Sequence, residues 1–288
     1  PRSDGTGTGE APHDPCARVA SKLCSYKGVV VATAGHRLPF PSVRPILPPP
    51  MKLLAFETAT EACSVALYLD GEVHERFDIA PRRHAELSLP WADALLAEAG
   101  LARSQLDAIA VGRGPGAFTG VRLAIALAQG IALALDRPVV PVSTLAVLAA
   151  GAPGEGPEQI LAAIDARMGE VYAASFRREG AALVPLDAER VLHPEAVQLP
   201  AGASGTWQGV GSGFAAAEGL LARQFAARMT AVDASALPRA AHLARLAAAA
   251  FAAGQALAPE RVEPAYLRDN VALTLAEQQL QRAAKQAS

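Results

Sequence analysis

Four glycines and one proline crowd the segment Gly112–Gly120 (GRGPGAFTG), between an apolar run ending at Val111 and a longer one ending at Leu135. Glycine admits positive φ and close approach of the backbone to a ligand, and proline presets one dihedral. A helix opening from such a turn presents unbonded N–H groups, which suits an anion. Nucleophiles are less promising. Cys63 falls within a strand and Ser143 and Ser212 at strand ends, none with a histidine and an acid at the spacing of a triad. His74, His193 and His242 have no mutual ligand spacing, and the three cysteines make no CxxC or Cys/His array. Triad catalysis and structural zinc are therefore excluded, whereas anion binding is not.

The elements that must position this turn are a strand, Asp107–Val111, and a helix, Phe118–Leu135. Arg122 and Gln129 are the helix's strongly polar side chains, so it lacks an ordinary solvent face. Its unbroken apolar run, Leu123–Ala128, is far too short for a bilayer, and no membrane role is expected. Small residues recur every fourth position in two rows, Gly120, Ala124, Ala128 and Ala132, and again Ala126, Gly130 and Ala134. Two such faces let the helix pack closely on both sides, on its own sheet and on a partner's helix. Complete burial within one large domain is the competing reading.

From Met51 onward the chain reads as strands Lys52–Glu57, Ala62–Leu69 and Glu72–Ile79, the last two joined by the Asp70–Gly71 hairpin turn. A helix from Arg83 to Ala99 follows, with Leu87, Trp91, Leu95 and Leu96 on a 3.6-residue period. Then come the strand, the glycine turn, the long helix and the strand Pro138–Val142. This β-β-β-α-β-α-β order is that of a ribonuclease-H-like module. After the Gly/Pro-rich linker Ala149–Pro157 a second set opens, with strands Gln159–Ile164 and Glu170–Arg177 around the turn Asp165–Gly169. Val184–Val191 and Trp207–Gly213 read as further strands, Arg239–Ala258 as a helix and Pro264–Leu273 as an ordered tail. The expected architecture is α/β, two ribonuclease-H-like lobes facing a cleft in the actin-like ATPase (ASKHA) manner, divided at 51–152 and 153–288.

Composition separates the first fifty residues from this frame. They hold 9 of the 22 prolines and six basic against three acidic side chains, within a 288-residue chain of net charge −2. The segment 1–50 lacks the pattern of a secretory signal. It is expected to be a disordered extension, with Met51 as the natural start. The rest is acidic on balance, unlike a chain that grips nucleic acid unaided, and low cysteine use points to a reducing cytoplasm.

LAFETATEACSVAL (54–67), RHAELSLP (83–90), GRGPGAFTGVRLAIALAQGIAL (112–133), VSTL (142–145), IDARMGEVY (164–172) and PAYLRDNVA (264–272) stand in the order of one family. From Met51 to about Leu273 the sequence resembles the TsaB family, the bacterial subunit for threonylcarbamoyladenosine modification of tRNA. The resemblance implies a non-catalytic subunit that binds and activates TsaD at adenosine 37, with TsaE as third member. It further implies a homodimer when the subunit is alone, and tRNA reached through the complex only. An independent actin-like ATPase or small-molecule phosphotransferase is the alternative.

In actin-like ATPases an acid in the first hairpin holds magnesium and hairpin amides cradle phosphates. By that resemblance Glu57 and Thr58, with Asp165 in the second turn, would line a degenerate nucleotide pocket, and ATP or ADP could sit at the interface with the partner. TsaD carries two metal-binding histidines at i and i+4; the matching helix here has His84 but Ser88, so no metal is expected. The partner face implied by the two helices comprises His84, Leu87, Trp91, Gly120, Val121, Ala124, Ile125 and Ala128.

Overall fold

The computed structural model describes residues 50–154, 159–180, 182–202 and 205–268. The extension assigned to 1–50 lies outside these residues except for Pro50, as does the tail after residue 268.

Lys52–Glu57 (β1) is apolar without alternation from Leu53 to Phe56 because it is central and covered on both faces. Around it lie β2 (Ala62–Leu69), β3 (Glu72–Ile79), β4 (Ala108–Gly112) and β5 (Val139–Val142), in the order β3-β2-β1-β4-β5. β1 to β3 pair antiparallel, while β4 joins β1 and β5 in parallel. Register puts Leu54 beside Leu67 and Ile109, and Phe56 beside Val65 and Val111, making one apolar face. Helices α1 (His84–Glu98) and α2 (Phe118–Leu135) cover it with Ala92, Leu95, Val121, Ala124, Ile125 and Ala128.

The second sheet repeats the plan. β6 (Gln159–Arg167), β7 (Glu170–Glu179) and β8 (Ala182–Pro185) pair antiparallel, and β10 (Trp207–Val210) and β11 (Met229–Asp233) extend from β6 in parallel. Its order β8-β7-β6-β10-β11 matches the first sheet strand for strand. The expected strand Val184–Val191 is in fact two short ones, β8 and β9 (Arg190–Leu192), both on β7. Between them Asp187 turns the chain by accepting a hydrogen bond from the Ser175 N–H at 2.7 Å.

The linear division at residue 152 misplaces two helices. α3 (Thr144–Ala150), which periodicity missed, packs Leu145, Leu148 and Ala149 on Ile160, Ala162 and Phe176 of the second sheet. Conversely α5 (Ala240–Ala252) returns to the first sheet, setting Leu243, Ala244 and Ala247 against Leu53, Ala55 and Ala108. The lobes thus exchange a helix each. Helix α5 stops short of the expected Ala258 because Gly254 turns the chain at φ +73° and Leu257 then bridges to Val139. The short α4 (Ala216–Gln224) closes the second lobe through Leu221.

By length and composition α2 is apolar enough to cross a membrane. In this fold, however, its inward row is core of the first lobe.

Candidate functional site

Both lobes carry, at or near the end of their first strand, an acid that turns the chain onto itself. Glu57 Oε1 accepts from the Ala59 N–H at 2.9 Å, and Asp165 Oδ1 accepts from the Arg167 N–H at 2.8 Å. The shared geometry reflects the shared topology, but the surroundings differ. Glu57 is 1% exposed, and its Oε2 also accepts from the Thr144 hydroxyl at the start of α3. Burial, only partly offset by these hydrogen bonds, pushes its carboxyl up to about 7. Asp165 faces open space and forms an ion pair with Arg167. Thr58 is fully buried, its hydroxyl donating to the Gly120 carbonyl at 2.7 Å.

A cleft of about 880 Å³ opens between the turns. The turn from Ala59 to Glu61, the start of α2, Asp165–Arg167, Ser212 and the tail Pro264–Arg268 surround it. Glu57 and Thr58 lie beneath this lining and Asp165 within it, so the three expected pocket residues do not share one surface. The glycines serve the fold first. A β-carbon at Gly116 would meet the Ala59 carbonyl oxygen at 2.4 Å, and one at Gly120 would meet that of Thr58 at 2.0 Å. The Ala117 N–H donates to the Ala59 carbonyl at 2.7 Å. Close approach of backbone is therefore required, as the sequence implied, but by the first hairpin turn rather than by a ligand. In the second lobe Gly211 and Gly213 are likewise crowded by Ala163.

Basic side chains dominate the lining: Arg82, Arg122, Arg167 and Arg268, with His84, against Glu61 and Asp165. Arg268 reaches the Glu170 carboxylate at 2.5 Å and the Ala166 carbonyl at 3.1 Å. Arg122 stacks on Phe118, 3.3 Å from the ring centre, and donates to the Tyr266 hydroxyl. The tail thereby touches both lobes. Sequence reasoning named the PAYLRDNVA segment but gave these arginines no role; their signal was arginine beside aromatic residues in otherwise apolar blocks.

His84 Nε2 lies 3.0 Å from the Thr60 carbonyl and 3.2 Å from that of Ala62, pinning the first hairpin to α1. The Ser88 hydroxyl donates back to the His84 carbonyl and sits 3.6 Å from the buried Cys63 sulfur. It is turned into the core, away from any partner for the imidazole.

The expected partner face needs correction. Gly120 is buried, Val121, Ala124, Ile125 and Ala128 are 5% exposed or less, and all pack inward. Leu87 and Trp91 are half-buried, Trp91 against the same core. A 3.6-residue period shows that a helix has two faces without telling which one the sheet takes. The second row is the outward one. Ala126, Gly130 and Ala134 are exposed beside Leu133, and nothing lies within 4 Å of a β-carbon placed on Gly130.

Two lobes of one topology around such a cleft define a protein of the actin-like ATPase fold. The family model of TsaD, tRNA N6-adenosine threonylcarbamoyltransferase, matches residues 73–275. TsaB of Escherichia coli (strain K12), a tRNA threonylcarbamoyladenosine biosynthesis protein, is 43% identical over 231 residues, 77% of this chain and 96% of its own. The Haemophilus influenzae TsaB is 37% identical, covering 77% and 95%. The solved structure of YeaZ from Pseudomonas aeruginosa superposes with a TM-score of 0.68 at 45% identity, covering 75% of this chain and all of that one. The chain belongs to the TsaB family.

Proposed function

We propose that this chain is a non-catalytic subunit of tRNA threonylcarbamoyladenosine biosynthesis that binds TsaD and raises its active population. The observation that carries the reading is the outward face of α2, where Ala126, Gly130 and Ala134 form an open strip of small residues beside the exposed Leu133. Leu89 of α1 is also exposed, at 44%. TsaD, whose family model fits this chain, offers a partner of related fold, and paired helices of two such faces make a four-helix contact. The same face would pair with itself when the chain is alone. TsaE joins as a third member, tRNA is modified on the assembled complex, and the setting is the cytoplasm.

The site chemistry supports a role without turnover. Glu57 is committed to internal hydrogen bonds, and one amide of each acidic turn, Ala59 and Arg167, is already bonded within the chain. We infer that ATP or ADP sits at the contact with the partner. A solved relative is described by its similarity to peptidase YeaZ. Here Ser143 caps α3, Ser212 accepts from the Asp165 N–H and Cys63 is buried, so these three side chains have structural work.

An omission assay tests the reading. Threonine incorporation into tRNA is followed with the adenylate synthase, TsaD and TsaE, with and without the chain. Loss without it, and retention with Glu57→Ala if that variant folds, is expected. Incorporation that proceeds equally well without the chain would overturn it in favour of a phosphotransferase.

A further inference from the structure

The mouth of the cleft carries an assembly that pairing through the outward strip of α2 leaves unused. Phe118, in the first turn of α2, and Tyr266, in the tail, are 66% and 62% exposed. Both lie within reach of the Arg122 guanidinium, which is 3.3 Å from one ring centre and 5.0 Å from the other. Two large rings are thus held in water by a cation instead of being buried. Arg82 lines the same cleft from the turn before α1, where it takes a left-handed backbone at φ +69°. Aromatic faces beside guanidinium groups are the means by which proteins hold unstacked bases and their phosphates.

The exposure of both rings at the mouth favours a strand over an enclosed mononucleotide. A polyphosphate is cradled by backbone N–H groups, and three of those at the cleft are already bonded. The Ala59 and Arg167 N–H groups are bonded to Glu57 and Asp165, and that of Ala117 to the Ala59 carbonyl. At the open edge stand the two rings, with Arg122 beside both and Arg82 lining the same cleft. We propose that this edge binds single-stranded RNA, with bases stacking on Phe118 and Tyr266 and a phosphate on Arg82 and Arg122. The inference rests on the reading that the chain serves tRNA modification, and it assigns the chain a direct contact with that substrate.

The test uses the full chain in complex with TsaD and a 5′-fluorescein-labelled, unmodified tRNA that decodes an ANN codon, followed by anisotropy. Phe118→Ala and Tyr266→Ala should each weaken binding by roughly 5- to 150-fold, and Phe118→Trp should restore it. Arg82→Gln should reduce the salt slope of log affinity by roughly 0.7. Both aromatic side chains are exposed, so thermal unfolding should not move. RNA affinity unchanged in both alanine variants overturns the proposal. So does a loss of TsaD pairing by Phe118→Ala with RNA affinity intact, which would make the edge a protein contact. Displacement of the tRNA by ATP that binds the wild-type chain but not Phe118→Ala would also overturn it, identifying a free nucleotide. If incorporation still requires the chain in the omission assay, any of these outcomes removes the RNA contact and leaves the subunit role standing.

Discussion

The Glu57 carboxylate lies against the α-carbon of Gly112, so that a β-carbon at position 112 would stand 2.0 Å from Oε2. The pairing of Phe56 with Val111 brings the ends of β1 and β4 level and forces this contact. Gly112 is thus dictated by a buried acid on the neighbouring strand.

Gly112→Ala should lower stability by about 1–3 kcal/mol or more, since carboxylate and strand ends cannot separate without disturbing the floor of the cleft. Thermal or urea unfolding checks this. An unchanged midpoint would mean that the carboxylate is not packed on Gly112.

Glu57 also gives the fold a pH dependence. Its folded value, about 7, lies above the ordinary 4.5, so between those pH values the folded chain holds a proton that the unfolded chain releases. The neutral carboxyl's contribution is complete below pH 4.5 and is lost as pH rises through 7, an effect of about 3 kcal/mol. Glu57→Gln keeps the shape and removes the titration. Unfolding free energies of wild type and variant at pH 5 and pH 7.5 should show wild type losing stability relative to Glu57→Gln at the higher pH. Burial pushes the His242 imidazole down and gives an opposite slope, but that term is common to both proteins and cancels. Parallel pH curves would refute the assignment.

The duplicated strand order was legible because each lobe opens with the same run of strands, polar turn and strand. The span of α2 followed from its largely apolar pattern after the glycine turn and is Phe118–Leu135 as read. Which face of α2 meets the sheet was not legible, because both faces are lined with small residues and the hydrophobic pattern is nearly even around the axis. Nor was the exchange of α3 and α5 between lobes, since an amphipathic helix does not encode which sheet it covers. Glu57 was singled out for its residue type and place after β1. Its burial depends on Thr144 and Gly112, 87 and 55 positions away in sequence, a proximity that only the folded chain supplies.

One substitution made on the two faces of α2 should act in opposite directions. Gly130→Ala meets open space and removes a helix-interior glycine, so it should stabilise the isolated chain by about 0.5–1 kcal/mol. Gly120→Ala drives a methyl group into the Thr58 carbonyl and should destabilise by about 1–3 kcal/mol. Paired unfolding measurements suffice, and equal effects would contradict the orientation of the helix.

The same contrast separates folding from pairing. Ala128 is fully buried among Leu54, Val65 and Ile125, so Ala128→Arg strands a charge in the core and should leave little folded protein. Gly130→Arg projects from the open strip of α2 into solvent, and the isolated chain should keep its circular dichroism and unfold no earlier than wild type. If TsaD docks on that strip, Gly130→Arg sets a bulky cation at the point of closest helix approach and should weaken the heterodimer by about 2 kcal/mol or more, as at a central interface position. Titration calorimetry with TsaD reads this directly. A Gly130→Arg chain that folds and still pairs with wild-type affinity would move the partner off α2, and with it the structural basis for calling this subunit an assembly factor.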